Sequence, residues 1–210
     1  MDKLITIESP AAAIMIANVD TDVITPMNRI TTRAGKPLSH YAFEPLRYLG
    51  GDGDHGEPDP DFALNREIYR SARIMLCGEN FGCGSSRETA PAAIADLGFR
   101  CLIGSSFGDI FHNNCFQQGI LPVTLEREQV ERLARLSEHG EVLLVDLPGQ
   151  QITAPDGSLY QFEVNSLRKK SLVEGLDDIA LTLTMLQDID AWQEADEVAR
   201  PWVYHLSEES

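Results

Sequence analysis

The chain has 210 residues, of which 43% are hydrophobic, enough for one sizeable core and too few for two independent ones. Lysine and arginine total 17 against 33 acidic residues, so the formal charge is −16. This balance argues against nucleic acid or an anionic membrane as a partner, because both attract cationic surfaces. We expect a folded, soluble protein rather than a disordered one.

The first predicted element is a strand-like apolar run at residues 13–16, which leads into the polar turn Asp20-Thr21-Asp22. Residues 28–66 are polar and turn-rich, with glycines and acidic residues concentrated near their middle. This composition predicts a long surface loop. The acidic residues do not follow the order of a calcium-binding loop, so a solvated loop is favoured over a metal site.

From Arg73 onward, apolar runs of strand length alternate with helical patterns. Three buried strands are predicted, the last of them short or at a sheet edge because it contains a proline: 74–77, 101–104 and 120–123. Helices are predicted between and after them, over 90–97, 110–119 and 130–140. This alternation predicts an α/β fold with a partly parallel sheet.

The last third of the chain has a different character. A strand is predicted at 142–145, and Asp156-Gly157 predicts a hairpin turn before the alternating residues Tyr160, Phe162 and Val164. Residues 166–198 are predicted to be mainly helical. No linker composition or internal repeat divides the chain, so we predict one domain over 1–210.

Cysteine and histidine usage gives no metal pattern. Three of the four cysteines (Cys77, Cys83, Cys101, Cys115) lie in apolar segments and none form a Cys-x-x-Cys pair, which predicts reduced thiols in a cytoplasmic protein. The five histidines are dispersed, and His112 is expected on a helix face or in the core. An apolar run at 10–17 is too short, and too closely flanked by acidic residues, to predict an export signal.

The most informative segment is Gly82-Cys83-Gly84-Ser85-Ser86-Arg87-Glu88, which joins the strand at 74–77 to the helix at 90–97. A glycine-rich turn at this place points backbone N–H groups and the positive end of a helix dipole at whatever lies above it. Ser85-x-x-Glu88 also fits a capping box, in which the serine caps the helix. Pro91 opposes a helix that starts at Ser85, so the helix is expected to begin later or to bend.

Four segments, in this order along the chain, resemble the small subunit of isopropylmalate isomerase (isopropylmalate dehydratase), and more widely the swivelling domain of aconitase-type hydro-lyases. They are 18–26, 79–88, 106–111 and 175–179, and the block from Asn80 to Glu88 is the most specific of them. The resemblance implies a single swivelling β/β/α domain over 1–210. Within it, residues 28–66 are expected to form a mobile substrate-recognition loop.

The resemblance also implies a reaction. In this family the substrate loses water and regains it at the neighbouring carbon, which interconverts 2-isopropylmalate and 3-isopropylmalate in leucine biosynthesis. A 4Fe-4S cluster in a separate large subunit takes the leaving hydroxyl, so the resemblance implies no cofactor in this chain and no activity without that partner. By resemblance, the catalytic residues are Ser85 (the base) and Asp22, and the ligands of the dicarboxylic substrate are Arg87, Ser86 and Arg33.

Several alternatives stay open at this point. Arg29 is a rival to Arg33 as a substrate ligand, and Thr89 stands where many isopropylmalate members carry histidine. A related hydro-lyase acting on citramalate, methylmaleate, dimethylmaleate or homoaconitate fits the same motifs, as does a non-catalytic carboxylate-binding module. A serine hydrolase is disfavoured because no histidine base is suggested. Ser106 and Asp109 are expected to cap the second helix.

Overall fold

A computed structural model describes residues 1–32, 35–51 and 53–204. The described residues form one seven-stranded sheet in the order β4-β3-β2-β1-β5-β6-β7. Its strands are β1 (Thr6–Ile14), β2 (Ile74–Cys77), β3 (Cys101–Gly104), β4 (Leu121–Thr124), β5 (Val142–Asp146), β6 (Gln151–Thr153) and β7 (Leu159–Gln161).

Helices lie between the strands and follow the last one. Those before β4 are α1 (Thr21–Ile24), α2 (Met27–Thr32), α3 (Leu38–Tyr41), α4 (Glu44–Arg47), α5 (Thr89–Asp96) and α6 (Asp109–Gln117). Those after β4 are α7 (Arg127–Leu136), α8 (Ser166–Glu174), α9 (Asp178–Leu183), α10 (Leu186–Ala199) and α11 (Pro201–Tyr204). Three short 3₁₀ turns occur at Leu49–Gly51, Ala63–Asn65 and Glu67–Tyr69.

The sheet is parallel on one side of β1 and antiparallel on the other. β1 to β4 pair in parallel, with Ile74 opposite Ala11 and Cys101 opposite Ile74. β1 also pairs antiparallel with β5, which continues into the β6–β7 hairpin. The predicted α/β fold with a partly parallel sheet is therefore confirmed. β4, which contains Pro122, lies at the edge as its proline predicted.

Two hydrophobic cores lie on opposite faces of the sheet. The side chains of β2 alternate between them, with Ile74 and Leu76 in one core and Met75 and Cys77 in the other. All four residues are buried, which explains why this strand appears in the sequence as a continuous apolar run. The second core contains Ile24 of α1, Ile94 of α5 and Phe111 of α6, three helices that adjoin the glycine-rich loop.

Two expectations from the sequence were wrong in detail. The first strand runs over Thr6–Ile14 rather than 13–16, because its first half pairs with β5 and its second half with β2, while Met15 and Ile16 are exposed. The segment 28–66 is not an open surface loop where it is described. It contains short helices, and it buries Phe43 and Glu44.

The glycine-rich loop depends on a close packing contact at Gly82. Its φ is +73°, and a Cβ atom there would lie 2.2 Å from the ring of Phe111, which is itself buried. We therefore expect Gly82→Ala to lower the free energy of unfolding by about 4 kcal/mol, the sum of left-handed backbone strain and overpacking.

Gly98→Ala is the matched control, because Gly98 also has a positive φ (+97°) but has nothing within 4 Å of the added Cβ. It should cost only about 1–2 kcal/mol of backbone strain. Urea unfolding of both variants measures the difference. Equal losses would contradict the packing explanation.

Candidate active site

Three loops meet where the parallel strands β1, β2 and β3 end. The loop after β1 and the loop after β2 are joined by two backbone hydrogen bonds, from Gly82 N to Val19 O (2.7 Å) and from Thr21 N to Cys83 O (3.0 Å). The loop after β3 joins them through Phe81 N to Ser106 O (3.2 Å) and Gly108 N to Phe81 O (2.9 Å). The carboxyl ends of parallel strands are where α/β folds place their ligands.

Two asparagines fix the loops after β1 and β2 to each other. Asn18 and Asn80 both have left-handed backbones, with φ of 56° and 54°. The Nδ2 of Asn80 donates to Oδ1 of Asn18 at 2.8 Å, and Ser106 Oγ accepts from Asn80 N at 2.8 Å. The prediction that Ser106 and Asp109 cap α6 is therefore wrong. The N-cap of α6 is Gly108, without a side-chain hydrogen bond, and Asp109 is the first helical residue.

Ser85 lies on the glycine-rich loop and is half-buried, so its hydroxyl is not enclosed in aliphatic packing. Its Oγ is 2.7 Å from Oγ1 of Thr21, a buried residue of α1. The capping box predicted at Ser85-x-x-Glu88 is wrong, because α5 begins at Thr89 and its N-cap is Glu88. This later start puts Pro91 in the first turn, where a missing N–H costs little.

Arg87 binds Asp22 with both of its terminal nitrogens. Nη1 is 2.5 Å from Oδ1, and Nη2 is 3.1 Å from Oδ2. Arg87 is 19% exposed and Asp22 is 55% exposed. The hydrogen bonds from the guanidinium lower the pKa of the Asp22 carboxyl below its usual range. A lowered folded pKa means that the pair stabilises the fold above the usual carboxyl pKa and that this small contribution is lost as the pH falls.

The other residues named from the sequence have different positions. Ser86 is exposed on the same loop as Ser85 and Arg87. Asp20 caps α1, its Oδ1 accepting from Val23 N at 2.8 Å. Arg33 lies outside the residues that the structure describes.

Arg29, the rival to Arg33, is part of an ion-pair network. Its Nε and Nη2 both bind the Glu44 carboxylate, at 2.9 Å and 2.5 Å, and its Nη1 binds Asp54 at 2.7 Å. Glu44 is only 3% exposed and also accepts from Gly53 N. Hydrogen bonds from Lys36 and Tyr41 lower the pKa of Asp54. Arg29 therefore fastens the segment after α1 in this conformation.

The network positions this segment against both site-bearing elements. Phe43 N donates to Ile24 O at the end of α1, and Ser39 N donates to the Asp96 carboxylate of α5 at 2.8 Å. The sequence identified Arg29 as a candidate substrate ligand, but it did not indicate Glu44 as its partner. A glutamate inside an apolar pattern, Tyr41-Ala42-Phe43-Glu44, is the signal for a buried, paired carboxylate.

Three of the four thiols are unsuited to holding an iron–sulfur cluster. Cys77, Cys101 and Cys115 are fully buried, and burial raises the pKa of each thiol, whereas a cluster needs accessible thiolates. Cys83 is half-buried on the loop. Within 1–32, 35–51 and 53–204, no group of three or more histidine, cysteine, aspartate or glutamate side chains has metal-binding geometry. His112 lies on α6, and burial lowers its pKa.

None of the helices in the described part of the chain has the length and apolar character needed to cross a membrane.

Comparison with known proteins assigns the family. Residues 1–128 match the model of the aconitase C-terminal domain, so the chain belongs to that family of mixed α/β domains. It also belongs to the family of 3-isopropylmalate dehydratase small subunits. It is 45% identical over 204 residues to the protein of that name from Rhodopseudomonas palustris (strain BisA53), covering 96% of this chain and 100% of the relative. It is 47% identical over 205 residues to the one from Jannaschia sp. (strain CCS1), covering 97% and 100%.

A solved structure has the same fold. The crystal structure of 3-isopropylmalate dehydratase from Methanocaldococcus jannaschii matches with a TM-score of 0.62, covering 90% of this chain and 99% of that chain. The identity is 23%, so this likeness concerns the fold. The family resemblance expected from the sequence motifs is confirmed by the matches to the family model and the curated relatives.

The Arg29–Glu44 pair gives a stability prediction. Arg29→Met would leave the Glu44 carboxylate buried without its guanidinium partner, and we expect it to lower the free energy of unfolding by about 3 kcal/mol. Arg70→Met is the matched control. Arg70 pairs with Glu67 at 3.1 Å, but both side chains are about 80% exposed, so the loss should be about 0.5 kcal/mol. Similar losses in urea unfolding would show that Arg29 does not anchor the segment.

Proposed function

We propose that this chain is the small subunit of a 3-isopropylmalate dehydratase, which interconverts 2-isopropylmalate and 3-isopropylmalate by dehydration and rehydration in leucine biosynthesis. The observation that carries the proposal is 45–47% identity, over nearly the whole length, to proteins with that name. The partner is a large subunit that holds a 4Fe-4S cluster, and the two chains form a heterodimer. The three buried thiols support a reducing, cytoplasmic location.

In the proposed reaction, Ser85 removes the proton from the substrate carbon next to the one that bears the hydroxyl. The cluster of the partner supplies a Lewis acid for the departing hydroxyl. When water adds back, its hydroxyl goes to the carbon that lost the proton, and the Ser85 hydroxyl gives a proton to the carbon that lost the hydroxyl. Hydroxyl and hydrogen have then exchanged positions, which produces the isomer. Ser85 lies at the carboxyl edge of the sheet, is half-buried and forms a hydrogen bond with the hydroxyl of Thr21. This placement supports the role.

The large increase in acidity that the Ser85 hydroxyl requires explains why the chain needs a partner. A serine alkoxide near neutral pH requires its pKa to fall by about six units, which is roughly 8 kcal/mol. Ser85 lies four residues before α5, and a helix dipole acts mainly within the first turn. The charge of Arg87 is engaged by Asp22. Most of the stabilisation must therefore come after assembly, when water is excluded and positive groups of the complex and the bound substrate are in place.

We assign Arg87 and Ser86 to the substrate carboxylates, with Arg33 as a further ligand. The planar fork of Arg87, already used on the Asp22 carboxylate, is suited to a substrate carboxylate by the same geometry. Asp22 then orients Arg87 or receives a proton during turnover. Residues 28–66 recognise the variable end of the substrate, which is why their attachment through Glu44 matters for specificity.

Ser85→Ala tests the assignment of the base. We expect turnover of the reconstituted complex to fall by at least 1,000-fold, since the proton acceptor is removed, while stability falls by about 1 kcal/mol through loss of the hydrogen bond to Thr21. The measurement is isomerisation of 2-isopropylmalate under anaerobic conditions. Ser71→Ala, an exposed serine before the amino end of β2, is the control and should keep full activity. Full activity in Ser85→Ala would remove this residue from the base role.

Arg87→Lys tests the carboxylate clamp. A lysine cannot reproduce two parallel hydrogen bonds, so we expect kcat/KM to fall by about 10- to 100-fold, the cost of one charge-assisted hydrogen bond. Arg135→Lys, on the exposed face of α7, is the control. Steady-state kinetics on a panel of malate derivatives gives both the size of the loss and the preferred substrate. An unchanged kcat/KM for Arg87→Lys would refute the clamp.

A further inference from the structure

The described residues that follow α8 lie outside both cores. α8 still buries Leu172, and Gly175 ends it with a left-handed backbone. The helices that follow, α9, α10 and α11, contain no buried residue. We name residues 176–204 the C-terminal arm. The helices of the arm cover little of the domain surface. Packing within this chain therefore does not explain why they carry apolar side chains.

The C-terminal arm exposes many large apolar side chains in a continuous stretch. Trp192 is 58% exposed and Val198 is 85% exposed. Single exposed apolar residues are ordinary, but a concentration that includes two tryptophans marks an interaction surface. The exposed large apolar residues of the arm are Ile179, Leu183, Met185, Leu186, Trp192, Val198, Trp202, Val203 and Tyr204.

The arm has internal contacts that keep its shape without a partner. Arg200 binds the Asp196 carboxylate through Nε at 2.6 Å and Nη2 at 2.8 Å, and the Tyr204 hydroxyl donates to the same carboxylate. The Arg200 guanidinium lies 5.9 Å from the centre of the Trp192 ring. The C-terminal end of α10 and the whole of α11 are therefore ordered before binding, which reduces the conformational entropy lost on association.

A continuous surface joins the arm to the carboxyl edge of the sheet. Leu181 of α9 lines a groove of about 440 Å³ together with His112, Asn113 and Arg168. His112 and Asn113 also line a second groove, of about 420 Å³, which includes Ser106 and Phe107 of the loop after β3. Arg168 binds Asp178 at the start of α9 at 3.3 Å. The two grooves thus lead from the loop after β3, one of the three loops at the candidate active site, to the arm.

Charge indicates what kind of surface the arm meets. Between 177 and 204 the chain has seven acidic residues and one arginine. A second copy of the arm, or an anionic membrane, would be repelled. A partner surface with an apolar groove and basic residues at its rim would instead attract the arm.

We propose that the C-terminal arm is a docking element for the large subunit, with its apolar side chains in an apolar groove of that subunit and its carboxylates against a basic rim. This inference rests on the proposed function, because it takes the large subunit as the occupant. It assigns to the arm a role in affinity that is separate from the chemistry at Ser85.

The test is a double variant, Leu183→Glu with Trp192→Glu, titrated against the purified large subunit. Both positions are 58% exposed, so the domain should fold normally, which circular dichroism and thermal unfolding verify. We expect Kd for the large subunit to rise at least tenfold, as for loss of a central aromatic anchor, with kcat restored at saturating partner. For the unaltered chain, Kd should also rise with salt concentration.

Leu159→Glu is the matched control, since Leu159 is 60% exposed on β7 at the opposite end of the sheet from β4, and its Kd should change less than twofold. An unchanged Kd for the double variant, or a self-association of the unaltered chain that the double variant abolishes, would overturn the inference. If the unaltered complex isomerises 2-isopropylmalate and the double variant binds normally, only the arm's role fails. If the unaltered complex has no such activity, the proposed function itself fails.

Discussion

The close approach of three backbone loops at the carboxyl edge of the sheet determines the positions of the candidate site residues Asp22, Ser85 and Arg87. Gly82 makes this approach possible, because its N–H reaches Val19 O while the ring of Phe111 occupies the space of a Cβ. A Cβ on Gly108 would likewise lie 2.6 Å from Gly82 O. The candidate site side chains of α1 and the glycine-rich loop are thus held by steric fit between main chains, and the two paired asparagines secure the same contact.

Much of the fold was predictable from the sequence because its signals are local. Residues 74–77 and 101–104 are buried on both faces of the sheet, so each run is apolar throughout and could be recognised without knowledge of the strands that pair with it. Pro122 marked the edge strand. The capping prediction for Ser85 failed for a different reason. Sequence spacing permitted the cap, but Pro91 and the backbone bonds of the loop moved the helix start to Thr89, which left Ser85 free to meet Thr21.

The pairing of site residues was less predictable, because each pair is long-range. Motif resemblance found Asp22 and Arg87 separately, 65 positions apart, but no local pattern indicates that one binds the other. The same holds for the hydroxyl pair of Thr21 and Ser85. Glu44 was missed because a single acidic residue among apolar ones is ambiguous until its partner, Arg29, is located. Sequence motifs identify candidate site residues, whereas tertiary packing determines which residues pair with them.

The bidentate contact between Arg87 and Asp22 has a consequence for the subunit before assembly. Under the proposed role of Arg87, any free dicarboxylic acid must compete with the intramolecular carboxylate of Asp22, whose effective concentration is high, so an unassembled subunit has little capacity to bind such acids. On the same proposal, molecules of this chain made in excess over the partner would take up little of the cellular pool of such acids.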